Sequence, residues 1–488
     1  MTDVFERYLQ AVDRGPGRPA VCDHDRTLSY EELDRYVARL ANAFAHHGEH
    51  PRVLILLDQG WRAYAAKFGT IMAGGTYAPV NTQAPANRIA MIADQFRADV
   101  IVTQQRVRDR VPDLKLAAPL LDIEGDLPPP LAQARPAAKL IYVMFTSGST
   151  GVPKGVMIGR GAINHYVDWV FDAFRPTPDD RWSQHPNIAF DLSQLDIYGC
   201  LCSGGALYPL NSRHDRLMPA RAIQRNRLTL WSSVPSIINM MTQADQATAE
   251  NLASMRLMNF IGEPLLYEHL EALFAARPDL TVWNTYGPTE ATVSCTLRPL
   301  TARDSRTACR GSVSIGKAIP GMRLELMGGP SADEGEIVIF GPQLAEGYWD
   351  NPEQTKKAFR SVALPEGTMR GYFTGDWARR EQDEMYFVGR MDNQVKIHGI
   401  RTELGEIEQA LRRCGFTDAV VVMLDREVHG FIETADNAID ESALRARLAQ
   451  VLMPQAIPKM FHLMPAFPRN DNDKIDRGAL LKQVPGLV

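Results

Sequence analysis

The segment FTSGSTGVPKG, from Phe145 to Gly155, packs hydroxyls, glycines and a lysine into one loop behind an apolar, strand-like run from Leu140 to Met144. Such a composition suits a polyphosphate. Glycines let backbone N–H groups curl around oxyanions, hydroxyls donate further hydrogen bonds, and a lysine adds positive charge where negative charge is densest. Residue order separates this loop from a Walker A motif, Gly-x-x-x-x-Gly-Lys-Ser/Thr, because Lys154 follows Pro153 and precedes Gly155. The plain alternative is a flexible surface loop, and the motifs downstream decide between the two.

A phosphate loop needs rigid elements on both sides, and the sequence supplies them in alternation. Ser29 and Glu32 make a capping box for a helix over Glu31 to His47, with Leu33, Val37, Leu40 and Phe44 on one face and Gly48 as its stop. His46 and His47 then read as solvated helix-end residues. Strand patterns follow at Arg52 to Leu57 and Ala98 to Thr103, with a helix near Trp61 to Ala73 between them, which argues for α/β layers. The Pro-rich stretch Asp126 to Ala138 reads as a surface connection. After Gly389 the pattern restarts: strand Gln394 to Ile397, helix Glu403 to Arg412, strands Ala419 to Leu424 and His429 to Glu433, and helix Glu441 to Leu452. The expectation is a large N-terminal multi-subdomain α/β domain over residues 1–391 and a smaller α+β C-terminal domain over 392–488.

The whole-chain figures exclude several classes. At 488 residues, 45% hydrophobic and 23% charged, the chain reads as an ordinary globular protein. A formal net charge of −5 supplies no broad basic field, so no nucleic-acid partner is expected. No basic-then-apolar leader and no apolar run of membrane-spanning length is present, which predicts no membrane association and a cytoplasmic location. Cys22, Cys200, Cys202, Cys295, Cys309 and Cys414 lack CxxC or Cys/His zinc spacing and read as reduced structural thiols.

In order along the chain stand LSYEEL at Leu28, MAGGTYAPVN at Met72, FTSGSTGVPKG at Phe145, FDLS at Phe190 and NTYGPTE at Asn284. GEIVIFGPQLAEGYW at Gly335, YFTGDW at Tyr372, GRMDNQVKIHGIRTELGEIE at Gly389 and NDNDKIDR at Asn470 complete the set. Together they resemble the adenylate-forming superfamily of acyl-CoA synthetases, luciferases and nonribosomal peptide synthetase adenylation domains, most closely the amino-acid-activating branch. The resemblance implies the adenylate-forming enzyme fold with a mobile C-terminal domain. It also implies an activity: joining a carboxylate to the AMP of ATP, releasing pyrophosphate, then passing the acyl group to a thiol. A carboxylate is a weak nucleophile with a poor leaving group, and conversion to an acyl phosphate supplies a good one. For such a step a protein mainly positions reactants and neutralises charge.

By that resemblance Thr146, Ser147, Gly148, Ser149, Thr150 and Lys154 hold the β- and γ-phosphates. Tyr286 stacks on adenine, Thr289 bonds the α-phosphate, and Glu290 helps hold Mg²⁺ through oxygen. Asp376 takes both ribose hydroxyls with Arg390 in support, and Gly262, Glu263 and Asn284 complete the ATP-binding set. Lys474 is the implied catalytic lysine and Asp392 the hinge between the domains. Two departures stand out. The usual Asn-Gly-Lys is Asn472-Asp473-Lys474, which the tolerance of aspartate for left-handed turns accommodates, and Glu346 stands where arginine is common.

Asp191 of FDLS separates the branches, since amino-acid-activating members use this aspartate to pair with the substrate's α-ammonium. A buried carboxylate needs such a partner. Its structural alternative is a helix cap. The side-chain pocket implied by the flanking motifs comprises Leu192, Leu195, Ser236, Asn259, Ile261, Thr285, Val293 and Ser294. Its polar groups favour a small or polar amino acid over leucine or phenylalanine. No condensation motif or carrier domain is visible in the sequence, so the resemblance implies a free-standing aminoacyl carrier protein ligase loading a separate phosphopantetheine-bearing carrier. The alternatives are an acyl- or aryl-CoA ligase and a non-catalytic nucleotide-binding protein.

Overall fold

The computed structural model describes residues 2–24, 26–111, 114–148, 152–304, 312–382, 384–391, 394–397, 400–416, 418–424, 427–434, 439–468 and 480. Among them three sheets and their covering helices make up the first four-fifths of the chain. The largest runs in the order Lys317–Ala318, Thr296–Leu300, Thr281–Tyr286, Leu257–Phe260, Leu230–Ser233, Arg181–Gln184, Ala206–Pro209, Pro19–Cys22, Thr27–Ser29. Its inner strands from Thr281–Tyr286 to Pro19–Cys22 are parallel. Parallel neighbours require crossovers, and the helices between them cover both faces.

A second sheet orders Gly347–Tyr348, Lys154–Gly159, Leu140–Thr146, Thr76–Pro79, Arg52–Ile55, Val100–Thr103 and Leu120–Asp122. Its four central strands bury every residue but Arg52, Leu140, Phe145 and Thr146, as continuous apolar runs in a doubly covered sheet should. The third is antiparallel and carries Gly367–Glu381 between Glu334–Phe340 and Phe359–Leu364, with Glu384–Arg390 also paired to it.

Local signals place these elements well. The helix Tyr30–Ala45 has the Ser29/Glu32 capping box, and Leu33, Val37, Leu40 and Phe44 are buried. The helix Trp61–Met72 packs beside it. From Gln394 onward a hairpin, Gln394–Ile397 with Ile400–Glu403, leads into the helix Leu404–Arg413. A three-stranded sheet follows, Ala419–Leu424, Glu427–Glu433 and Met460–Met464. Ile407, Leu411, Val421, Ile432, Leu444 and Leu448 form a hydrophobic cluster drawn only from this part of the chain. The helix Glu441–Leu448 is four residues shorter than the sequence pattern suggests, and the chain turns from Ala449 onward.

This topology gathers the motif residues. Asp191 follows the strand Arg181–Gln184, Ser236 follows Leu230–Ser233, Ile261 and Gly262 follow Leu257–Phe260, and Thr289 and Glu290 follow Thr281–Tyr286. All leave the carboxyl ends of adjacent parallel strands, the edge where open α/β sheets bind ligands.

Candidate active site

The glycine-rich loop joins Leu140–Thr146 to Lys154–Gly159, an antiparallel pair in which Thr146 faces Lys154. Side chains are excluded at its centre: a Cβ on Gly148 would lie 2.1 Å from the Val152 carbonyl oxygen. Ser147 is buried and its hydroxyl donates to the Arg401 carbonyl at 2.7 Å, while Lys154 Nζ stands 3.9 Å from Glu403 Oε1. Ser149 and Thr150 lie outside the described residues, as do Lys474 and Asp392.

The residues that the resemblance assigns to the nucleoside converge. Tyr286 donates its hydroxyl to Asp376 Oδ2 at 2.5 Å, and Arg390 Nη1 donates to Asp376 Oδ1 at 2.5 Å. Asp376 and Arg390 face each other across adjacent strands, so sheet register fixes the pair. Asn284 donates to the Ser314 carbonyl at 2.8 Å. Gly262 has φ +97°, a conformation that favours glycine, and Glu263 next to it accepts from the Ser236 backbone N–H at 3.1 Å.

Glu290 is fully buried with an ion-pair partner. Arg401 Nη1 reaches its two oxygens at 3.0 and 2.8 Å, and the Tyr348 hydroxyl donates to Oε1 at 2.7 Å. Burial opposes its charge, but Arg401 and Tyr348 prevail and hold the carboxyl below the usual range. A buried carboxylate held ionised is an oxygen donor of the type a magnesium ion prefers. In this arrangement Arg401 occupies it.

Asp191 does not cap the helix Ser193–Leu201, which begins with Leu192 at its cap and has no side-chain cap bond. Burial pushes the Asp191 carboxyl up, a hydrogen bond with Thr289 and the charge of Lys396 act against that, and Glu290 adds to it. Burial pushes the Lys396 ammonium down, the charges of Asp376 and Asp191 act against that, and Arg401 and Arg390 add to it. Both Asp191 and Lys396 retain accessible surface despite being surrounded by protein, as groups lining a cleft do.

The pocket residues are nearly sealed. Leu192, Leu195, Asn259, Ile261, Thr285, Val293 and Ser294 are each at most 9% exposed, and only Ser236 keeps more. Thr285 Oγ1 donates to Asn259 Oδ1 at 3.1 Å, leaving Asn259 Nδ2 without a hydrogen-bond partner. Thr292 and Val293 adopt φ of 55° and 71°, unusual for β-branched residues. Gln343 holds this turn, donating to the Ala291 and Ser294 carbonyls at 3.1 and 2.9 Å.

Four residues here carry no role in the motif reading: Arg401, Lys396, Tyr348 and Gln343. All lie inside motifs that the sequence displays, yet each has at least one partner more than fifty residues away. Glu346, the departure from arginine, pairs with Lys139 at 2.8 Å on the surface.

Comparison with known proteins agrees with this geometry. The model of the AMP-binding enzyme family matches residues 9–349. The D-alanine–D-alanyl carrier protein ligase of Staphylococcus aureus (strain MRSA252) is 30% identical over 503 residues, covering 100% of both chains. Among solved structures, the Vibrio cholerae adenylation domain AlmE in complex with glycyl-adenosine-5'-phosphate superposes with TM-score 0.86 at 26% identity, covering 98% of this chain and 97% of AlmE. An NRPS protein containing adenylation and PCP domains superposes with TM-score 0.83 at 25% identity, over 99% of this chain and 84% of its own. With the family match over residues 9–349 and 30% identity along the whole chain, the protein belongs to the AMP-binding enzyme family of adenylate-forming ligases.

Proposed function

We propose that this ligase activates a small α-amino acid with ATP and transfers it to the phosphopantetheine thiol of a separate carrier protein. In the first step a carboxylate oxygen of the amino acid bonds to the α-phosphorus as the bond to the bridging oxygen breaks, releasing pyrophosphate. In the second the thiol loses its proton, its sulfur bonds to the acyl carbon, and AMP leaves. The observation that carries the proposal is Asp191: a surrounded carboxylate that does not cap the following helix, beside Thr289 and within the field of Lys396 and Glu290. An α-ammonium group is its natural counter-charge.

Ser147 and Lys154 would take the outer phosphates, Asp376 with Arg390 the ribose, and Thr289 the α-phosphate. Magnesium, when bound, would neutralise phosphate charge, with Glu290 as its protein oxygen ligand. Residues 1–391 would form the core and 392–488 a unit that turns about Asp392, bringing Lys474 to the reacting carboxylate for the first step only. A cytoplasmic location fits a chain whose described helices include none long and apolar enough to cross a membrane.

The sealed pocket supports a side chain the size of hydrogen or methyl. The D-alanine of the carrier protein ligase and the glycyl group bound to AlmE are of that size. A panel of amino acids in pyrophosphate exchange tests this: glycine or alanine should lead, and a preference for leucine or phenylalanine would refute it. Leu195→Ala should raise the ratio of kcat/KM for valine over alanine by about tenfold or more, the worth of opened apolar volume. A ratio keeps the comparison independent of how much variant is folded. Product analysis with a holo carrier against coenzyme A identifies the thiol.

A further inference from the structure

The helix Ser193–Leu201 follows closely on Asp191, carries the pocket residue Leu195, and is buried along its whole length. Asp196 stands in it with 0% exposure, and neither of its oxygens makes a regular hydrogen bond among the described residues. Helix spacing gives the side it faces. Gly199, one turn on, abuts Trp182 so closely that a Cβ would lie 2.7 Å from the ring, so Asp196 looks onto the strands Arg181–Gln184 and Leu230–Ser233. Burial pushes the Asp196 carboxyl well up, and the Ser232 hydroxyl acts against that. Ser232 pairs with Asn259 across the parallel strands, and Asn259 takes the Thr285 hydroxyl, so this contact lies directly behind the pocket wall. Tyr166 marks the same place. Burial pushes its hydroxyl up, its bond with Ser294 acts against that, and Asp191 and Asp196 both add to it.

Three ionisable groups feel Asp196 from the packed helices: Tyr64 of Trp61–Met72, Tyr166 of Arg160–Phe174 and Cys200 of its own helix. The strands add the uncharged Trp182 and Ser232. Burial pushes Tyr64, Tyr166 and Cys200 up, so all three stay uncharged, and among the described residues no cation acts on Asp196. A carboxylate in such surroundings lacks a counter-charge and is costly. An uncharged carboxyl instead has one O–H to donate, and a serine oxygen can accept it.

We propose that Asp196 is a positioning residue for amino-acid activation: its carboxyl donates to Ser232 and so ties the helix that follows Asp191 and bears Leu195 to the sheet behind the pocket. Through this tie the partner of the α-ammonium and the pocket wall keep their spacing. Tyr286, Asp376 and Arg390, assigned to the nucleoside, sit on the strands Thr281–Tyr286, Gly367–Glu381 and Glu384–Arg390, so ATP binding stands apart from it. The inference rests on the assignment of Asp191 to the α-ammonium and of Leu195 to the pocket.

KM values from pyrophosphate exchange test the role, since they do not depend on how much of a variant is folded. Asp196→Ala should raise KM for alanine at least about tenfold and leave KM for ATP unchanged. Asp196→Asn keeps an uncharged donor of the same shape and should stay within about threefold of wild type. Ser232→Ala, which leaves the carboxyl in place, should raise the alanine KM in the same way, and the double variant should add nothing further. The infrared difference between wild type and Asp196→Asn at neutral pH should carry the C=O stretch of an uncharged carboxylic acid. An unchanged alanine KM in either Asp196→Ala or Ser232→Ala, equal rises in the KM of alanine and of ATP, or carboxylate bands in the infrared difference overturns the proposal. The underlying reading has its own check. Alanine exchange indifferent to Asp191→Ala removes the role of Asp191 itself, whereas loss of exchange in Asp191→Ala beside a wild-type alanine KM in Asp196→Ala overturns the positioning role alone.

Discussion

Asp191→Ala is expected to keep ATP binding while losing amino-acid activation by roughly two to three orders of magnitude, because breaking a buried charge pair costs about 3–5 kcal/mol. The mechanism predicts more than a loss. With the counter-charge gone, the variant should no longer distinguish alanine from propionate, its amine-free isostere, in pyrophosphate exchange. The carboxylate's surroundings make the effect specific. Thr289, Lys396 and Glu290 act on it, and Glu290, the one carboxylate among them, could take over the ammonium only by leaving Arg401. Exchange kinetics matching wild type would make Asp191 a structural residue.

Lys474→Ala should slow adenylation by at least about 10²-fold, the effect of removing a transition-state donor. Transfer from supplied aminoacyl-adenylate to the carrier should survive much better, since no bond to the α-phosphorus forms in that step. The sequence Asn472-Asp473-Lys474 adds a carboxylate next to the lysine, and Asp473→Gly, which removes it, gives a comparison within the same loop. Equal losses in both half-reactions would assign Lys474 a different role.

Short-range signals made much of the fold legible. The Ser29/Glu32 cap, the stop before Gly48 and the buried strand runs depend on neighbours a few residues away, and the structure reproduces them within a few residues. The helix from Glu441 ends at Leu448, four residues before its apolar pattern does. The phosphate loop and the cluster of Tyr286, Asp376 and Arg390 were legible through ordered motifs, and register across two antiparallel strands supplies the contact. What the sequence left dark is long-range. Arg401 meets Glu290 across 111 positions, a separation that no local pattern spans. The mutual bond of Thr285 Oγ1 and Asn259 Oδ1, and the burial of both residues, were equally hidden, since they lie on neighbouring strands 26 positions apart. The strained turn at Thr292 and Val293 depends on Gln343, which no local pattern connects to it.

The most direct test compares isosteric substrates on the unmodified chain. Pyrophosphate exchange is measured with glycine and alanine against acetate and propionate, which match them in size and lack only the amine. Activation through an Asp191–ammonium pair predicts exchange with the amino acids at least about 10²-fold above that with their amine-free counterparts. Equal or faster exchange with acetate and propionate, accompanied by thioester formation on coenzyme A, would contradict it and mark the chain as an acyl-CoA ligase.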